Sequence, residues 1–318
     1  MTEMPPGLAE LVRLRRRWTR LMTGHPAPVA PIPSLAEDAG FLADAAANPG
    51  QLRLKACIPE NLPSRAPLVV ALHGCTQDAA GFDQACGWSR LAARRGFALL
   101  LPEQRRENNG NTCFNWFEPG DTTRGQGEVA SIAAMVDRLL RQHGLDAGRV
   151  FVAGLSAGGA MTASLLACYP ERFAAGAILA GLPHAAARNV GQALEAMFHP
   201  APRPAEERSA AAREASDHRG PWPRLSIWQG EADETVRPAN AEELLKQWLP
   251  LHGLDPARPS RDEAGHREWN GVVECITLPG GGHDVPPGAP EAILDFWGIT
   301  EEKVFLVGAD GDVREEMQ

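Results

Sequence analysis

One short segment of the chain, residues 154–159 (Gly-Leu-Ser-Ala-Gly-Gly), restricts its fold more than any other. It follows an apolar stretch of strand length, residues 149–153, and precedes an Ala/Leu-rich stretch of helix length, residues 160–167. A G-x-S-x-G sequence between a strand and a helix is typical of a nucleophile elbow, a tight turn that exposes a serine above the sheet. The segment therefore predicts Ser156 as a catalytic nucleophile.

A serine nucleophile needs two partners, because a histidine must remove its proton and a carboxylate must orient that histidine. In α/β-hydrolases the three residues occur in the order serine, acid, histidine. Asp233 follows one predicted buried strand, and His283 follows the next one after a run of glycines. Both therefore lie at strand ends, where catalytic groups collect in parallel sheets. Glu231 and Glu234, on the same loop as Asp233, are alternative acids.

An oxyanion hole is predicted from the apolar run 66–72, which has the composition of a central parallel strand covered on both faces. The loop after this strand supplies one oxyanion donor in the fold, and the residue after the nucleophile supplies the other. We therefore predict that the backbone N–H groups of Cys75 and Ala157 stabilise the oxyanion of the reaction.

Several motifs carry a family resemblance. They are residues 73–77 (His-Gly-Cys-Thr-Gln), residues 113–117 (Cys-Phe-Asn-Trp-Phe), residues 154–159, Gly230 with Asp233 and Val236, and Gly282 with His283. Together they resemble the poly(3-hydroxybutyrate) depolymerase family, which also contains feruloyl and acetylxylan esterases, over residues 50–298. The resemblance implies an α/β-hydrolase fold, with no metal and no redox cofactor. It also implies Ser156 as nucleophile, His283 as base, Asp233 as orienting acid and the Cys75 amide as an oxyanion donor.

The six cysteines have a spacing that matches no zinc site. Similarity to secreted members of the family implies a disulfide at Cys75, with Cys86 preferred to Cys113 as its partner. The absence of a signal peptide favours reduced thiols instead. Both alternatives stay open on the sequence.

The overall charge and hydropathy pattern excludes some functions. A net charge of −9 disfavours a nucleic-acid partner, since phosphate neutralisation requires a basic face. No apolar stretch reaches the ~20 residues of a membrane span. The arginine-rich start is not followed by the apolar region of a signal peptide, so we expect a cytoplasmic protein. Secretion is the alternative if the start is truncated.

Three regions are predicted along the chain: an amphipathic helix with a Pro-rich linker in 1–48, a catalytic domain in 49–299, and a tail in 300–318. Residues 6–23 combine an apolar stripe with an arginine face, which suits contact with the protein body, a second subunit, an anionic surface or a hydrophobic granule. In 49–299, alternating strands and helices predict a mostly parallel, doubly wound sheet with helices on both faces.

Candidate substrate contacts are Trp116, His73 and Trp222. Trp116 belongs to the irregular loop 103–126, where an aromatic wall suits an ester substrate. Trp222 belongs to the insertion 184–223, which interrupts the alternation of strands and helices and is predicted to cap the site.

The same insertion contains further candidates for substrate contact: Met197, Phe198, His184 and His199. The alternative is a surface excursion without contact to substrate.

The sequence predicts a serine carboxylic ester hydrolase that acts on small esters, oligoesters or polyesters of the 3-hydroxybutyrate type through an acyl-enzyme. A feruloyl or acetylxylan esterase on the same scaffold is the first alternative. A serine peptidase and a non-enzymatic granule-associated protein are the others.

Overall fold

The computed structural model describes residues 34–301, 304–307 and 313–316. Its strands are β1 (Ala36–Glu37), β2 (Arg53–Cys57), β3 (Leu68–Leu72), β4 (Ala98–Glu103), β5 (Val150–Leu155), β6 (Ala175–Leu179), β7 (Arg224–Gly230), β8 (Arg261–Glu263), β9 (His266–Trp269), β10 (Val273–Leu278), β11 (Val304–Val307) and β12 (Val313–Glu316). Its α-helices are α1 (Ala39–Ala43), α2 (Ala79–Cys86), α3 (Trp88–Arg95), α4 (Pro119–Thr122), α5 (Gly127–His143), α6 (Ala157–Cys168), α7 (Val190–Phe198), α8 (Ala205–Glu214), α9 (Ala239–Trp248) and α10 (Ala289–Trp297). The predicted amphipathic helix 6–23 lies outside the described residues.

Ten strands form one sheet in the order β1-β2-β4-β3-β5-β6-β7-β10-β9-β8. The six strands from β4 to β10 run parallel, and antiparallel strands extend the sheet on both sides. After β3 the chain adds β4 on one side and then crosses to add β5 on the other. Such a reversal creates a crevice at the carboxyl ends of the two strands, where ligands bind in open α/β sheets. The predicted doubly wound parallel sheet is confirmed.

Two hydrophobic cores cover the two faces of the sheet. Successive side chains of a strand point to opposite faces, so in β3 Leu68, Val70 and Leu72 join the first core while Val69 and Ala71 join the second. This explains why the strand is apolar without alternation. Helix α6 is buried along its whole length and packs against the central strands β3, β5 and β6. None of the helices within residues 34–301 is both long enough and apolar enough to cross a bilayer.

Two elements of the described chain precede residue 49, where the sequence analysis placed the start of the catalytic domain. Strand β1 pairs with β2, and Phe41 of α1 is buried. Asp38 caps α1 by accepting a hydrogen bond from the Phe41 amide at 3.0 Å, and it pairs with Arg138 at 2.6 Å. These elements have only two and five residues, too few to produce a recognisable period. In the tail, β11 and β12 form a separate two-stranded antiparallel sheet that the sequence did not predict.

His184 lies at the base of the insertion and is buried, not directed at a substrate. Its ring Nδ1 lies 3.1 Å from Ser164 Oγ, and its backbone N–H and C=O both bond the side chain of Gln247. Burial without a nearby carboxylate lowers the pKa of His184 from 6.5 to about 4. The ring is therefore neutral in the folded protein at neutral pH.

We expect the free energy of unfolding to decrease as the pH falls from about 7 to about 5. Between the ordinary value of 6.5 and the folded-state pKa of about 4, the unfolded chain binds more protons at His184 than the folded chain does. At about 1.4 kcal/mol per pKa unit, this ring contributes a loss of about 2 kcal/mol by pH 5. Burial also lowers the pKa of His252 to about 4, so His252 adds to the loss of stability. Urea unfolding at both pH values measures the change.

The matched variants for this measurement are His184→Gln and His143→Gln. His143 is exposed at the end of α5, so its replacement should keep the wild-type pH dependence. His184→Gln should flatten the dependence even if it lowers stability at neutral pH. An equal slope in wild type and His184→Gln would contradict the assignment.

Candidate active site

A continuous chain of hydrogen bonds joins Asp233, His283 and Ser156 at the carboxyl edge of the sheet. His283 Nδ1 lies 2.8 Å from Asp233 Oδ2, and its Nε2 lies 2.9 Å from Ser156 Oγ. Asp233 is buried, while the His283 side chain is 21 % exposed and can meet a ligand. The structure thus brings together the three residues that the sequence singled out. This arrangement can transfer a proton from the serine hydroxyl to the imidazole, with the carboxylate holding the tautomer.

Ser156 occupies the sharp turn between β5 and α6. Its backbone has φ 57° and ψ −117°, a region that residues with a side chain rarely adopt. The turn is possible because a Cβ on Gly154 would overlap the carbonyl of Gly158, and a Cβ on Gly158 would overlap the carbonyl of Leu72 in β3. The Ser156 N–H donates to Leu179 O of β6 at 2.9 Å. The glycines of the motif therefore allow the serine turn to pack directly against the neighbouring strands.

Asp233 is fixed by its own loop. Its Oδ1 accepts the amides of Thr235 and Val236, each at 2.9 Å, and its Oδ2 accepts Gln229 Nε2 at 3.1 Å. The same Oδ2 faces His283, so the carboxylate has little freedom to turn away. The rival acids differ: Glu231 is exposed, and the described contacts do not bring it or Glu234 to His283.

The loop of His283 is held against the loop of Asp233. Ala232 N–H donates to Gly281 O at 2.8 Å, which ties the two loops together. Gly230, at the end of β7, has to be glycine, because a Cβ there would overlap the carbonyls of Gly281 and Gly282. The close approach of these backbones sets the short distance between His283 and Asp233.

The loop after β3 lies against the serine. A Cβ built on Gly74 would lie 3.5 Å from Ser156 Cβ, so the next amide, that of Cys75, lies beside the nucleophile turn. Within residues 34–301, the N–H groups of Cys75 and Ala157 donate to no other protein group. Ala157 is the first residue of α6, where backbone amides have no intrahelical acceptor. Both predicted oxyanion donors thus have unused hydrogen-bonding capacity.

The disulfide at Cys75 joins it to Cys113 and not to Cys86, so the preferred pairing was wrong. Cys75 and Cys113 both pack against the first core, whereas Cys86 packs against the second core on the other face of the sheet. Burial raises the pKa of the Cys86 thiol to about 12. The described cysteines, histidines and carboxylates form no group of three or more arranged to hold a metal ion.

Residues that the sequence analysis missed hold the Cys113 loop in place. Gln104 Nε2 donates to Cys113 O at 3.0 Å and to Glu128 Oε1 at 2.5 Å, and Glu128 Oε2 accepts the Asn115 amide at 2.8 Å. Burial raises the pKa of the Glu128 carboxyl well above its ordinary range, and the nearby Asp121 raises it further. Glu128 begins the apolar pattern of α5, so its sequence context indicated only a helix start.

Two of the predicted substrate contacts have structural roles instead. His73 is buried, with Nδ1 2.8 Å from Gly74 O and Nε2 accepting the Gln104 amide at 3.1 Å. Both ring nitrogens are therefore occupied within the protein. Trp116 is 5 % exposed and belongs to the first core, where it packs edge-on against Phe117. Its indole supports the loop and offers no open face.

Trp222 lies at the opposite edge of the sheet from the serine, so it was wrongly assigned to substrate. It comes two residues before β7 begins, whereas Asp233 follows the end of that strand. Trp222 packs against Trp248 and lines a separate cavity of about 420 Å³ together with Pro170. A strand of seven residues spans roughly 20 Å. The insertion 184–223 therefore crosses from the carboxyl edge of the sheet, where β6 ends, to the amino edge, where β7 begins.

A doubly wound sheet with a serine–histidine–aspartate chain at the carboxyl ends of its strands defines an α/β-hydrolase. Residues 56–271 match the family model "Esterase PHB depolymerase". The chain belongs to this family, as the sequence motifs indicated, and so falls in the class of carboxylic ester hydrolases.

The chain is similar both to a depolymerase and to acetylxylan esterases. It is 44 % identical over 248 residues to poly(3-hydroxyalkanoate) depolymerase C of Paucimonas lemoignei, covering 75 % of this chain and 60 % of that protein. It is 31 % identical over 295 residues to acetylxylan esterase of Coprinopsis cinerea, covering 87 % of this chain and 76 % of that enzyme. The solved acetyl xylan esterase from Aspergillus awamori superposes with a TM-score of 0.78 at 27 % identity, covering 84 % of this chain and all of that one.

Proposed function

We propose that the protein is a serine esterase that hydrolyses 3-hydroxyalkanoate oligoesters or polyesters of the hydroxybutyrate type through an acyl-enzyme. The observation that carries this proposal is the unbroken hydrogen-bond chain from Asp233 through His283 to Ser156. A buried serine alone is not nucleophilic, and this chain supplies the base and the orienting acid that it needs.

The proposed reaction has two halves. Ser156 Oγ attacks the ester carbonyl while His283 Nε2 accepts the hydroxyl proton, and the amides of Cys75 and Ala157 bind the oxyanion. Collapse of the tetrahedral intermediate breaks the ester C–O bond, and His283 returns the proton to the leaving alcohol. Water then attacks acyl-Ser156 by the same proton path and releases the carboxylic acid.

Two observations favour hydroxyalkanoate esters as substrates. The identity to the Paucimonas depolymerase is 44 %, against 31 % to the Coprinopsis acetylxylan esterase. In addition, α7 exposes an apolar stripe, made of Val190, Leu194 and Phe198 at 56 %, 49 % and 39 % exposure. An exposed apolar stripe beside a catalytic site suits a substrate that is apolar along its length.

The stripe lies at the active edge because the end of α7 is tied to the loop after Asp233. The Arg237 amide donates to Met197 O at 2.9 Å, and Asn240 Nδ2 donates to Ala196 O at 3.0 Å. This supports α7 as the part of the predicted cap that meets substrate.

A substrate panel tests the proposed function. It compares kcat/KM for hydroxybutyrate trimer and tetramer with methyl ferulate, acetylated xylo-oligosaccharides and a peptide amide, with Ser156→Ala as the background control. The proposal requires the hydroxybutyrate oligomers to be the preferred substrates. Preference for acetylated sugars would assign the chain to the acetylxylan esterases instead.

Replacing Leu194 and Phe198 together by glutamine is expected to lower kcat/KM on hydroxybutyrate tetramer by about 10-fold, because apolar contacts remote from the carbonyl are lost. The loss on p-nitrophenyl acetate should be smaller, since that substrate is too short to reach the stripe. Steady-state kinetics on both substrates measure the difference.

The control for this pair is Val190→Gln, on the same stripe but eight residues from Phe198 and so about 12 Å along the helix. It should cost less on the tetramer than the Leu194/Phe198 pair does. Equal losses on both substrates with an unchanged melting temperature would show that α7 does not contact the substrate.

A further inference from the structure

A cavity of about 280 Å³ adjoins the oxyanion loop on the side of β2 and β4. Thr76 and Gln77 of that loop form one of its walls. Gln77 also contacts the catalytic side, because its Oε1 accepts the Gly74 amide at 2.8 Å and Gly74 packs against Ser156. The oxyanion loop therefore lies between the cavity and the nucleophile. None of the roles assigned above uses it.

Three arginines surround this cavity: Arg53, Arg105 and Arg106. Their guanidinium hydrogen bonds to the protein are long: Arg53 to Glu103 at 3.3 Å, Arg105 to Gln51 at 3.4 Å and Arg106 to Gly110 O at 3.3 Å. Some arginines elsewhere are paired more closely, as in Arg138–Asp38 at 2.6 Å and Arg208–Glu243 at 2.7 Å. Long hydrogen bonds are weak ones, so the cavity arginines are loosely held by their protein partners.

The carboxylates that line the cavity do not use up these donors. Glu103 divides its oxygens between Arg53 and the Ala79 amide at 3.1 Å, and Asp78 accepts the Gly81 amide at 2.7 Å. The remaining carboxylate of the cavity wall, Glu107, has its Oε2 3.3 Å from Arg105 Nε, without hydrogen-bond geometry.

The arginines therefore retain donors for a ligand. The Nε–H groups of Arg53 and Arg105 are buried and have no hydrogen-bond acceptor within the described chain. Each guanidinium has five N–H donors, so the three arginines together have more donors than the cavity wall has acceptors. Each of the three guanidinium groups also uses only its Nη1 in a hydrogen bond to the described part of the protein, so its Nη2 donors remain for a ligand.

We propose that this cavity is a subsite for a carboxylate, namely the free carboxylate end of a hydroxyacid oligoester. The proposal rests on the proposed function and narrows it. In such an oligomer the free carboxylate always lies on the alcohol side of the bond that is cleaved, so the cavity receives the leaving portion of the chain. A guanidinium binds a planar carboxylate through two parallel hydrogen bonds, which a neutral ester end cannot match.

The subsite is tested by calorimetric titration of the full chain carrying Ser156→Ala, which removes turnover. The two ligands are hydroxybutyrate tetramer as the free acid and as its methyl ester, at about 20 mM and about 300 mM salt. We expect the free acid to bind about 10-fold more tightly at low salt, as charge-assisted hydrogen bonds predict. Adding Arg105→Gln or Arg106→Gln should reduce this ratio to about 2-fold or less, mainly through weaker binding of the acid.

Arg258→Gln is the matched control. Arg258 also carries an exposed positive charge, and it belongs to the loop 255–258, which Trp269 contacts at the opposite edge of the sheet. It should keep the 10-fold ratio, and melting temperatures check that each variant is folded. Equal binding of the two ligands to Ser156→Ala, or an equal loss with Arg258→Gln, would overturn the subsite.

Turnover by the wild-type chain separates failure of the subsite from failure of the proposed function. Efficient hydrolysis of both tetramer forms with equal kcat/KM leaves the substrate class in place and refutes the subsite. Hydrolysis of neither form refutes the substrate class, and the subsite with it. A higher kcat/KM for the free acid, abolished by Arg106→Gln, supports both.

Discussion

Ser156→Ala is expected to lower kcat for ester hydrolysis by at least ~10⁴-fold, because the residual rate comes only from binding and oxyanion stabilisation. The fold should persist: the Ser156 side chain has His283 as its hydrogen-bond partner, and the turn is maintained by the backbone contacts of Gly154 and Gly158. Kinetics on p-nitrophenyl acetate and the hydroxybutyrate tetramer, together with thermal unfolding, measure both parts.

The control for this variant is Ser164→Ala, about two turns into α6, the helix that follows Ser156. Ser164 contacts His184 and not the triad, so its loss should affect stability more than kcat. Labelling by a fluorophosphonate provides a second measurement, since the wild type should react once per chain and Ser156→Ala should not. Retention of more than about a tenth of the wild-type kcat by Ser156→Ala would refute the nucleophile assignment.

Asp233→Asn is expected to lower kcat by about 10⁴-fold. The amide that replaces Oδ2 can no longer fix the Nδ1–H tautomer of His283, so Nε2 is not available to accept the serine proton. The remaining partners of the aspartate, the Thr235 and Val236 amides, should still hold the loop. KM should change little, because the aspartate does not reach the substrate.

Glu231→Gln and Glu234→Gln are the matched controls, since each also removes one carboxylate charge from the loop that carries Asp233. Both should keep kcat within about 3-fold of the wild type, as surface substitutions usually do. If Glu231→Gln were the inactive variant and Asp233→Asn remained active, the wrong carboxylate would have been named.

The triad and the sheet were predictable because their signals are local. The G-x-S-x-G turn can pack only where a glycine backbone meets a neighbouring strand. The glycines that it needs all lie within six consecutive residues around Ser156. Asp233 and His283 each follow a buried apolar run directly, so their place at one sheet edge follows from parallel strand order.

The errors concern contacts between segments that are distant in sequence. Cys86 is nearer to Cys75 along the chain than Cys113 is, but it faces the opposite core, and no local pattern reveals the face. Trp222 belongs to an insertion whose course across the sheet depends on where β7 begins. Gln104 and Glu128 act through hydrogen bonds across 24 residues, which periodicity does not report.

The conformation of Ser156 has a consequence for how activity depends on folding. A backbone at φ 57° and ψ −117° costs on the order of 1–3 kcal/mol and persists only while the surroundings impose it. Those surroundings are the carbonyl of Leu72 in β3, the carbonyl of Leu179 in β6 and the first turn of α6. The nucleophile is thus a product of tertiary assembly that no isolated fragment of the chain would possess. We therefore expect catalytic activity only in chains in which all of these contacts have formed.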